Sequence, residues 1–249
     1  MYAGNLTPDR AHGLGAWSGD DFWRALHHGR SRDGRLLYPA FPYTHYTQVT
    51  RDDADAMLAY LRTLAPVARP NTPHALRWPY STQAALAVWR ALYFRPGEYR
   101  ADPAQSAQWN RGAYLVRGLG HCSACHSTRN ALGGSDLMDL SGGMIPMQAW
   151  YAPSLADPDE AGVAHWDTAR IAQLLRTGST ADASVLGPMA EVVLHSTQYL
   201  SDGDLSAMAV FLKSLPPAPP LTPPCLRGLC LWAGKSCGYC MKPAILRAD

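Results

Sequence analysis

No apolar run in these 249 residues approaches the ~18 needed for a membrane-crossing helix, which excludes that class of anchor. The opening, Met1-Tyr2-Ala3-Gly4-Asn5-Leu6, has neither a basic n-region nor an apolar h-region, so no secretory signal is written there. An excess of charge is also missing. Twenty-two basic and 20 acidic residues leave a net +2, which gives no electrostatic reason to expect a nucleic-acid partner. Charged residues are only 17% of the chain and hydrophobic ones 47%, too apolar for wholesale disorder. The six cysteines are not spread like the staples of a small secreted domain. Cys122 and Cys125 sit together mid-chain; Cys225, Cys230, Cys237 and Cys240 crowd the end. Metal, haem or redox chemistry is therefore weighed first.

The chain repeats itself, and repeats reshape any reading of a fold. Tyr2-Ala3-Gly4-Asn5-Leu6 matches Tyr151-Ala152-Pro153-Ser154-Leu155. At the same offset Trp17 meets Trp166, Phe22 meets Ile171, Leu26 meets Leu175 and Gly29 meets Gly178. After a shift of two, Val49-Thr50 meets Leu200-Ser201, Met57 meets Met208 and Leu61 meets Leu212. Two related domains are expected, the first without a counterpart of the segment preceding Tyr151. Both read as helical, so the expected fold class is all-α. Ser18 and Asp167 suit N-caps, Gly29 and Gly178 the matching stops, and Thr50 and Ser201 cap a later helix in each copy. A helix opening the second copy is expected from an Asp102 cap with Pro103 at its first position, running to about Leu119. Another is expected at about 82–93. Six prolines in residues 216–224 read as a semi-rigid linker.

His121-Cys122-Ser123-Ala124-Cys125-His126 contains C-x-x-C-H, the attachment signature of c-type haem. Two thiols one helical turn apart can each add to a vinyl group of one porphyrin, and the adjacent His126 then faces the iron. A thioredoxin-like reading needs a βαβ setting that this helical stretch lacks. A zinc reading needs distant cysteines to converge on Cys122 and Cys125. Candidates for the second axial ligand are Met138, Met144, Met147, Met189, Met208, His165 and His195. Met208 falls at a helical core position, and Met144 and Met147 can equally be packing residues. Met189 follows Gly187-Pro188 in what reads as a loop between the later helices, and it is the preferred candidate. His27 and His28 are adjacent on a helix and cannot chelate one ion together, so they read as a solvated helix end.

These strings resemble a known family. Trp150-Tyr151-Ala152-Pro153-Ser154-Leu155 and Gly187-Pro188-Met189-Ala190-Glu191-Val192-Val193 are similar to the triple-haem cytochrome c subunit of bacterial membrane-bound alcohol, aldehyde and gluconate dehydrogenases. Asn5-Leu6-Thr7-Pro8-Asp9, Tyr38-Pro39-Ala40 and Gln105-Ser106-Ala107-Gln108-Trp109-Asn110-Arg111-Gly112-Ala113-Tyr114-Leu115 carry the likeness along residues 2–217. The resemblance implies tandem class I cytochrome c domains, one haem c on Cys122 and Cys125, and axial His126 and Met189. It implies an electron-transfer subunit, not itself an enzyme, which takes electrons from a dehydrogenase catalytic subunit and passes them towards quinone or another acceptor. Membrane association would come through that complex only.

The departures from the pattern shape the expected organisation. Residues 1–65 read as an incomplete cytochrome c domain without a haem motif, with Phe41 where the family's axial Met is expected. Losing a haem there would leave Trp17, Phe22, Leu26, Met57 and Leu61 uncovered. Residues 66–104 read as a Pro-rich connector with one helix, 105–216 as a complete domain, 217–224 as a linker, and 225–249 as a degenerate tail. In that tail Cys237-Gly238-Tyr239-Cys240 is followed by Met241 instead of His, the remnant of a third domain. The chain thus reads as a fragment, cut at the front and altered at the back. Covalent haem attachment in the family happens outside the cytoplasm. The expected location is the periplasm or the periplasmic face of the inner membrane if a signal lies upstream, and an apo, cytoplasmic chain if Met1 is the true start. Two alternatives remain at this point: a zinc or thiol-redox module built on the C-terminal cysteines, and a non-functional gene fragment.

Overall fold

The structure is a computed structural model that describes residues 1–136, 139–146, 148–157, 160, 163–217 and 245–247. It divides into two compact units, Met1–Arg100 and Ala101–Asp249.

Unit 1 contains α1 (Gly19–His28), α2 (Tyr43–Tyr46), α3 (Arg51–Thr63) and α4 (Gln83–Tyr93). The start of α1 is a reciprocal capping box. Ser18 Oγ accepts from the Asp21 amide, and the Asp21 carboxylate accepts from the Ser18 amide at 3.0 Å. That contact holds the Asp21 carboxyl below the usual carboxylate range. Gly29 ends the helix at φ 55°, and a Cβ there would sit 2.6 Å from the Tyr43 ring. Thr50 and Thr82 cap α3 and α4 by accepting from Asp53 and Ala85 amides.

Phe22 and Leu26, expected to lie uncovered, are buried in unit 1 together with Tyr43, Val49, Leu58, Leu86 and Phe94; Met57 and Leu61 are half-buried. The Pro-rich stretch after residue 65 is fastened along this unit. Asn5 Nδ2 donates to the Val67 carbonyl at 2.8 Å and Arg90 Nη2 to the His28 carbonyl at 2.7 Å. The Gly97 amide donates to Thr47 Oγ1 at 2.9 Å. Tyr43 and Phe94 meet edge to face at 4.9 Å.

Unit 2 is mostly helical, with α5 (Ala107–Tyr114), α6 (Thr168–Thr177), α7 (Pro188–His195) and α8 (Asp202–Lys213). Short strands accompany them, where helices alone were expected. β1 (Gly143–Ile145) pairs antiparallel with β2 (Trp150–Ala152), with Met144 opposite Tyr151. β3 (Ala183–Val185) pairs antiparallel with β4 (Ile245–Arg247). The caps read at Asp167, Gly178 and Ser201 hold.

The start of α5 differs from expectation. Its cap is Ser106, which accepts from the Trp109 amide at 3.1 Å, while Asp102 closes a preceding turn by accepting from the Ala104 amide at 2.9 Å. The Asn110 side chain holds that turn in place. Its Oδ1 accepts from the Asp102 amide and its Nδ2 donates to the Asp102 carbonyl.

α5 crosses α8 at Gly112, where an added Cβ would lie 2.0 Å from the Ala207 carbonyl oxygen. Around the crossing Arg111 Nε donates to Asp204 Oδ1 at 2.7 Å and Trp109 Nε1 to Ser214 Oγ at 2.6 Å. Trp109 meets Phe211 edge to face at 5.1 Å, and the Arg117 guanidinium lies over the Phe211 ring at 4.9 Å. Among the described residues no helix is long and apolar enough to cross a membrane.

Candidate functional site

The chain leaves α5 through one π-helical turn, Leu115–Leu119, closed by the Gly120 amide on the Leu115 carbonyl at 2.6 Å. His121 then takes a left-handed conformation, φ 37° and ψ 43°, which re-aims the backbone into a short 3₁₀ turn, Cys122–Ala124. The His126 amide donates back to the Cys122 carbonyl at 2.9 Å. Cys122, Cys125 and His126 are thereby gathered on one turn, as their spacing required.

Both cysteines are free thiols on partly exposed residues. Burial of the thiol group, aided by neighbouring Cys125, pushes Cys122 up to about 12, and burial also pushes Cys125 up. A thiol-redox pair needs the opposite, a depressed pKa that supplies thiolate at neutral pH. Among the described residues no three His, Cys, Asp or Glu side chains gather as a metal cluster. Cys225, Cys230, Cys237 and Cys240 lie outside the described residues.

His126 is 6% exposed, and its Nδ1 lies 2.8 Å from the Pro153 carbonyl oxygen. A carbonyl can only accept, so Nδ1 carries a proton, and in the neutral ring Nε2 then keeps its lone pair. Burial lowers the His126 pKa against the opposing pull of the Pro153 bond, which favours the neutral ring. A neutral imidazole with one nitrogen fixed by a carbonyl is the form that ligates a metal.

The loop carrying Pro153 is itself held. The Ser154 amide donates to Glu160 Oε2 at 2.6 Å, and the Tyr151 hydroxyl donates to the same carboxylate at 3.0 Å. Gly142 leaves room for this clamp, since a Cβ there would lie 2.6 Å from the Ser154 amide nitrogen. Burial raises both the Glu160 carboxyl and the Tyr151 phenol. From sequence Tyr151 and Pro153 were read only as part of the repeat and the family string, without a role at His126, and Glu160 was not singled out. His126 and Pro153 are 27 residues apart, and no local periodicity links them.

Met189 is not in a loop. Pro188 occupies the first position of α7 and Met189 the second, half-buried. The turn before it is fixed by Gly187, φ 52° and ψ −130°, where a Cβ would sit 2.5 Å from the Trp150 ring. Trp150 opens β2 and Pro153 follows its end. One strand therefore ties the Met189 segment to the loop that orients His126. Of the other candidates, Met208 is a core residue at 3% exposure and Met144 lies on β1 at 38%. His195 is exposed and pairs with Glu191 at 3.1 Å, and His165 is exposed. Met138 and Met147 lie outside the described residues. His27 stacks on Trp23 at 4.6 Å and meets His28 edge to face.

This donor set fits haem: two adjacent neutral thiols, a buried imidazole with a free lone pair, and a thioether on a segment fixed by the same strand. It describes a c-type cytochrome. No protein-family model matches the chain. It is 37% identical over 214 residues to a "Diheme cytochrome c-type" of Cereibacter sphaeroides, covering 85% of this chain and 70% of that protein. It is 39% identical over 231 residues to the "Alcohol dehydrogenase (quinone), cytochrome c subunit" of Gluconacetobacter polyoxogenes, covering 88% of this chain and 49% of that one. It is also 39% identical over 219 residues to the "Fructose dehydrogenase cytochrome subunit" of Gluconobacter japonicus, covering 87% and 45%. The chain belongs to this family of cytochrome c proteins, in which cytochrome c subunits of dehydrogenases are found. It spans about half the length of the dehydrogenase subunits just named.

Proposed function

We propose that unit 2 carries one haem c and that the chain relays electrons as a non-catalytic subunit of a dehydrogenase complex. Cys122 and Cys125 would each add S–H across one vinyl group, forming a C–S and a C–H bond with no oxidant required. His126 and Met189 would supply the axial ligands. The haem, when bound, supplies a one-electron couple; the protein sets its potential through these ligands and their surroundings. The observation that carries the reading is the buried His126, its Nδ1 fixed on the Pro153 carbonyl, on the same turn as the Cys122 and Cys125 thiols. Electrons would arrive from a dehydrogenase catalytic subunit and leave towards quinone at the periplasmic face of the inner membrane. The names of the relatives support the first partner.

Unit 1 is the haem-free member of a tandem pair. Its α1 and α3 repeat the caps of α6 and α8, and Asn5 Oδ1 accepts from the Thr7 amide as Ser154 Oγ does from the Ala156 amide. Phe41, at the family's axial position, packs on Tyr46 at 5.5 Å. The test is expression behind a periplasmic export signal in a host that matures c-type cytochromes. A pyridine haemochrome and iron analysis should give about one haem per chain that survives denaturing electrophoresis. Cys122→Ala with Cys125→Ala should remove it. Covalent haem in that double variant, or two irons per chain, would overturn the assignment.

A further inference from the structure

Arg129 stands three positions after His126 and folds back over the attachment turn. Its Nη2 donates to the Ala124 carbonyl, and its Nη1 donates to the Ser127 carbonyl at 3.5 Å and the Met144 carbonyl at 3.4 Å. One side chain thus ties the middle of the C-x-x-C-H turn, the residue after it and strand β1 together. A planar fork with five N–H donors can bridge carbonyls set in different directions in this way. The residue is half-buried, and burial works against its charge.

Arg129 differs from the other anchored arginines in having no acid beside it. Arg24, Arg51, Arg111, Arg170 and Arg176 each have an aspartate at ion-pair distance. Among the described residues no carboxylate pairs with Arg129, and its hydrogen-bond acceptors are all backbone carbonyls. The carboxylate that enters this loop, Asp139, is taken up by the Thr128 amide and hydroxyl and by the Ser141 amide. An ion pair cancels most of its own field at a distance. A lone cation does not, and partial burial keeps water and salt from screening it fully. The charge is felt at the Cys125 thiol, where it opposes the effect of burial.

Ferric haem carries one positive charge more than ferrous haem. A fixed cation beside the sulfur that would hold the macrocycle therefore disfavours the ferric state and raises the midpoint potential. We infer that Arg129 is a potential-setting residue of this cytochrome: its unpaired guanidinium, clasped on the Ala124, Ser127 and Met144 carbonyls, biases the iron towards the ferrous form. This rests on haem attachment at Cys122 and Cys125, and it adds to the axial ligands a charge that is not itself a ligand.

The test uses the full chain, exported and matured, as wild type, Arg129→Lys and Arg129→Gln. Each is titrated for its midpoint potential, with a haemochrome and a melting curve alongside. Lysine keeps the charge and loses the fork; glutamine loses the charge and keeps two donors. Arg129→Lys should hold the wild-type potential even though its weaker clasp lowers Tm. Arg129→Gln should shift the iron towards ferric by roughly three- to tenfold at a fixed applied potential, a fall of up to about 59 mV for one electron. Its visible bands should stay in place, because no ligand changes. Arg129→Met is a second neutral variant with the same expected fall. The inference is overturned if a neutral variant keeps the wild-type potential. It is equally overturned if the lysine variant falls as far as the neutral ones, since the clasp and not the charge would then matter. Should neither neutral variant take up haem, the lysine variant decides: an unchanged potential upholds the role of the charge, and a fall overturns it. A wild-type chain without covalent haem would instead defeat the reading of Cys122 and Cys125, before any potential is measured.

Discussion

Gly112→Ala is the sharpest probe of the scaffold under the C-x-x-C-H turn. By propensity alone, alanine in a helix interior should stabilise by about 0.5–1 kcal/mol. At Gly112 the new methyl would sit 2.0 Å from the Ala207 carbonyl oxygen and 2.8 Å from Phe211 Cβ. The first contact is far inside the ~3.5 Å at which carbon contacts become favourable. A backbone oxygen has no rotamer to escape into, so α5 must move off α8 by more than an ångström. That displacement strains packing by about 1–3 kcal/mol. It also stretches the Trp109–Ser214 bond of 2.6 Å and the Arg111–Asp204 bond of 2.7 Å beyond useful length, at about 1 kcal/mol each. The net loss is about 2–4 kcal/mol, or roughly 4–16 °C in Tm for a unit of this size. Gly203→Ala is the control. It lies in the first turn of α8, and its nearest neighbour, Ser201 Oγ, is 3.8 Å away, so Tm should hold or rise slightly. Differential scanning calorimetry of both variants reads the contrast. A Gly112→Ala protein that melts with or above wild type would show that the two helices do not cross in contact there.

Met189→Ala should lower the midpoint potential and abolish the long-wavelength sulfur-to-iron band, read by redox titration and visible spectroscopy, whereas Met208→Leu should alter neither. If Met144→Ala produces those changes and Met189→Ala does not, the axial assignment to α7 is wrong. Glu160→Ala should free Tyr151 and Ser154, weaken the Pro153 bond to His126 and raise the potential, because a less basic imidazole stabilises ferric iron less; Glu160→Gln should restore most of it. An Ala variant with an unchanged potential would detach Glu160 from His126. Arg111 holds the Asp204 carboxyl below its unfolded value, so the unfolded chain binds the extra proton in acid. This stabilisation is complete above about pH 4 and is lost as pH falls through the lower folded value. For this partly exposed pair it is about 0.5–1 kcal/mol, and Asp204→Asn should flatten that part of the acid unfolding curve. Ser18→Ala should cost unit 1 about 1 kcal/mol in a urea melt.

Caps were the most legible part of this chain, because a cap is decided within four residues. Ser18, Thr50, Asp167 and Ser201 each accept the amide three positions on, as their sequences implied. Asp102-Pro103 imitates the same signal and misleads, since Asn110, eight residues later, recruits Asp102 into a separate turn. Met189 was read as loop because helix α7 is short and follows Gly187, yet Pro188 is a good first helical residue. The hairpin was invisible for another reason. Its strands are three residues long, and it is placed by the Gly142 amide on the His126 carbonyl and by the close fit of Gly143 on Ser127. The C-x-x-C-H turn could be read directly; the carbonyl that orients its histidine could not, because that contact exists only after folding.

The α5–α8 crossing joins the beginning of unit 2 to the end of α8, the last helix among the described residues, with partners about a hundred positions apart in sequence. A loop of that length costs only slowly more to close as it grows. Closure brings the two ends of the helical part of the unit to one seam, and strand β4, beyond α8, adds its pairing with β3. Such a module can be strung several times along a chain, each bead sealed by its own clasp, with no bead needing its neighbour to complete its core. Duplication then requires only a linker between seams, and a bead that loses its cofactor can stay in the string provided its interior is filled some other way.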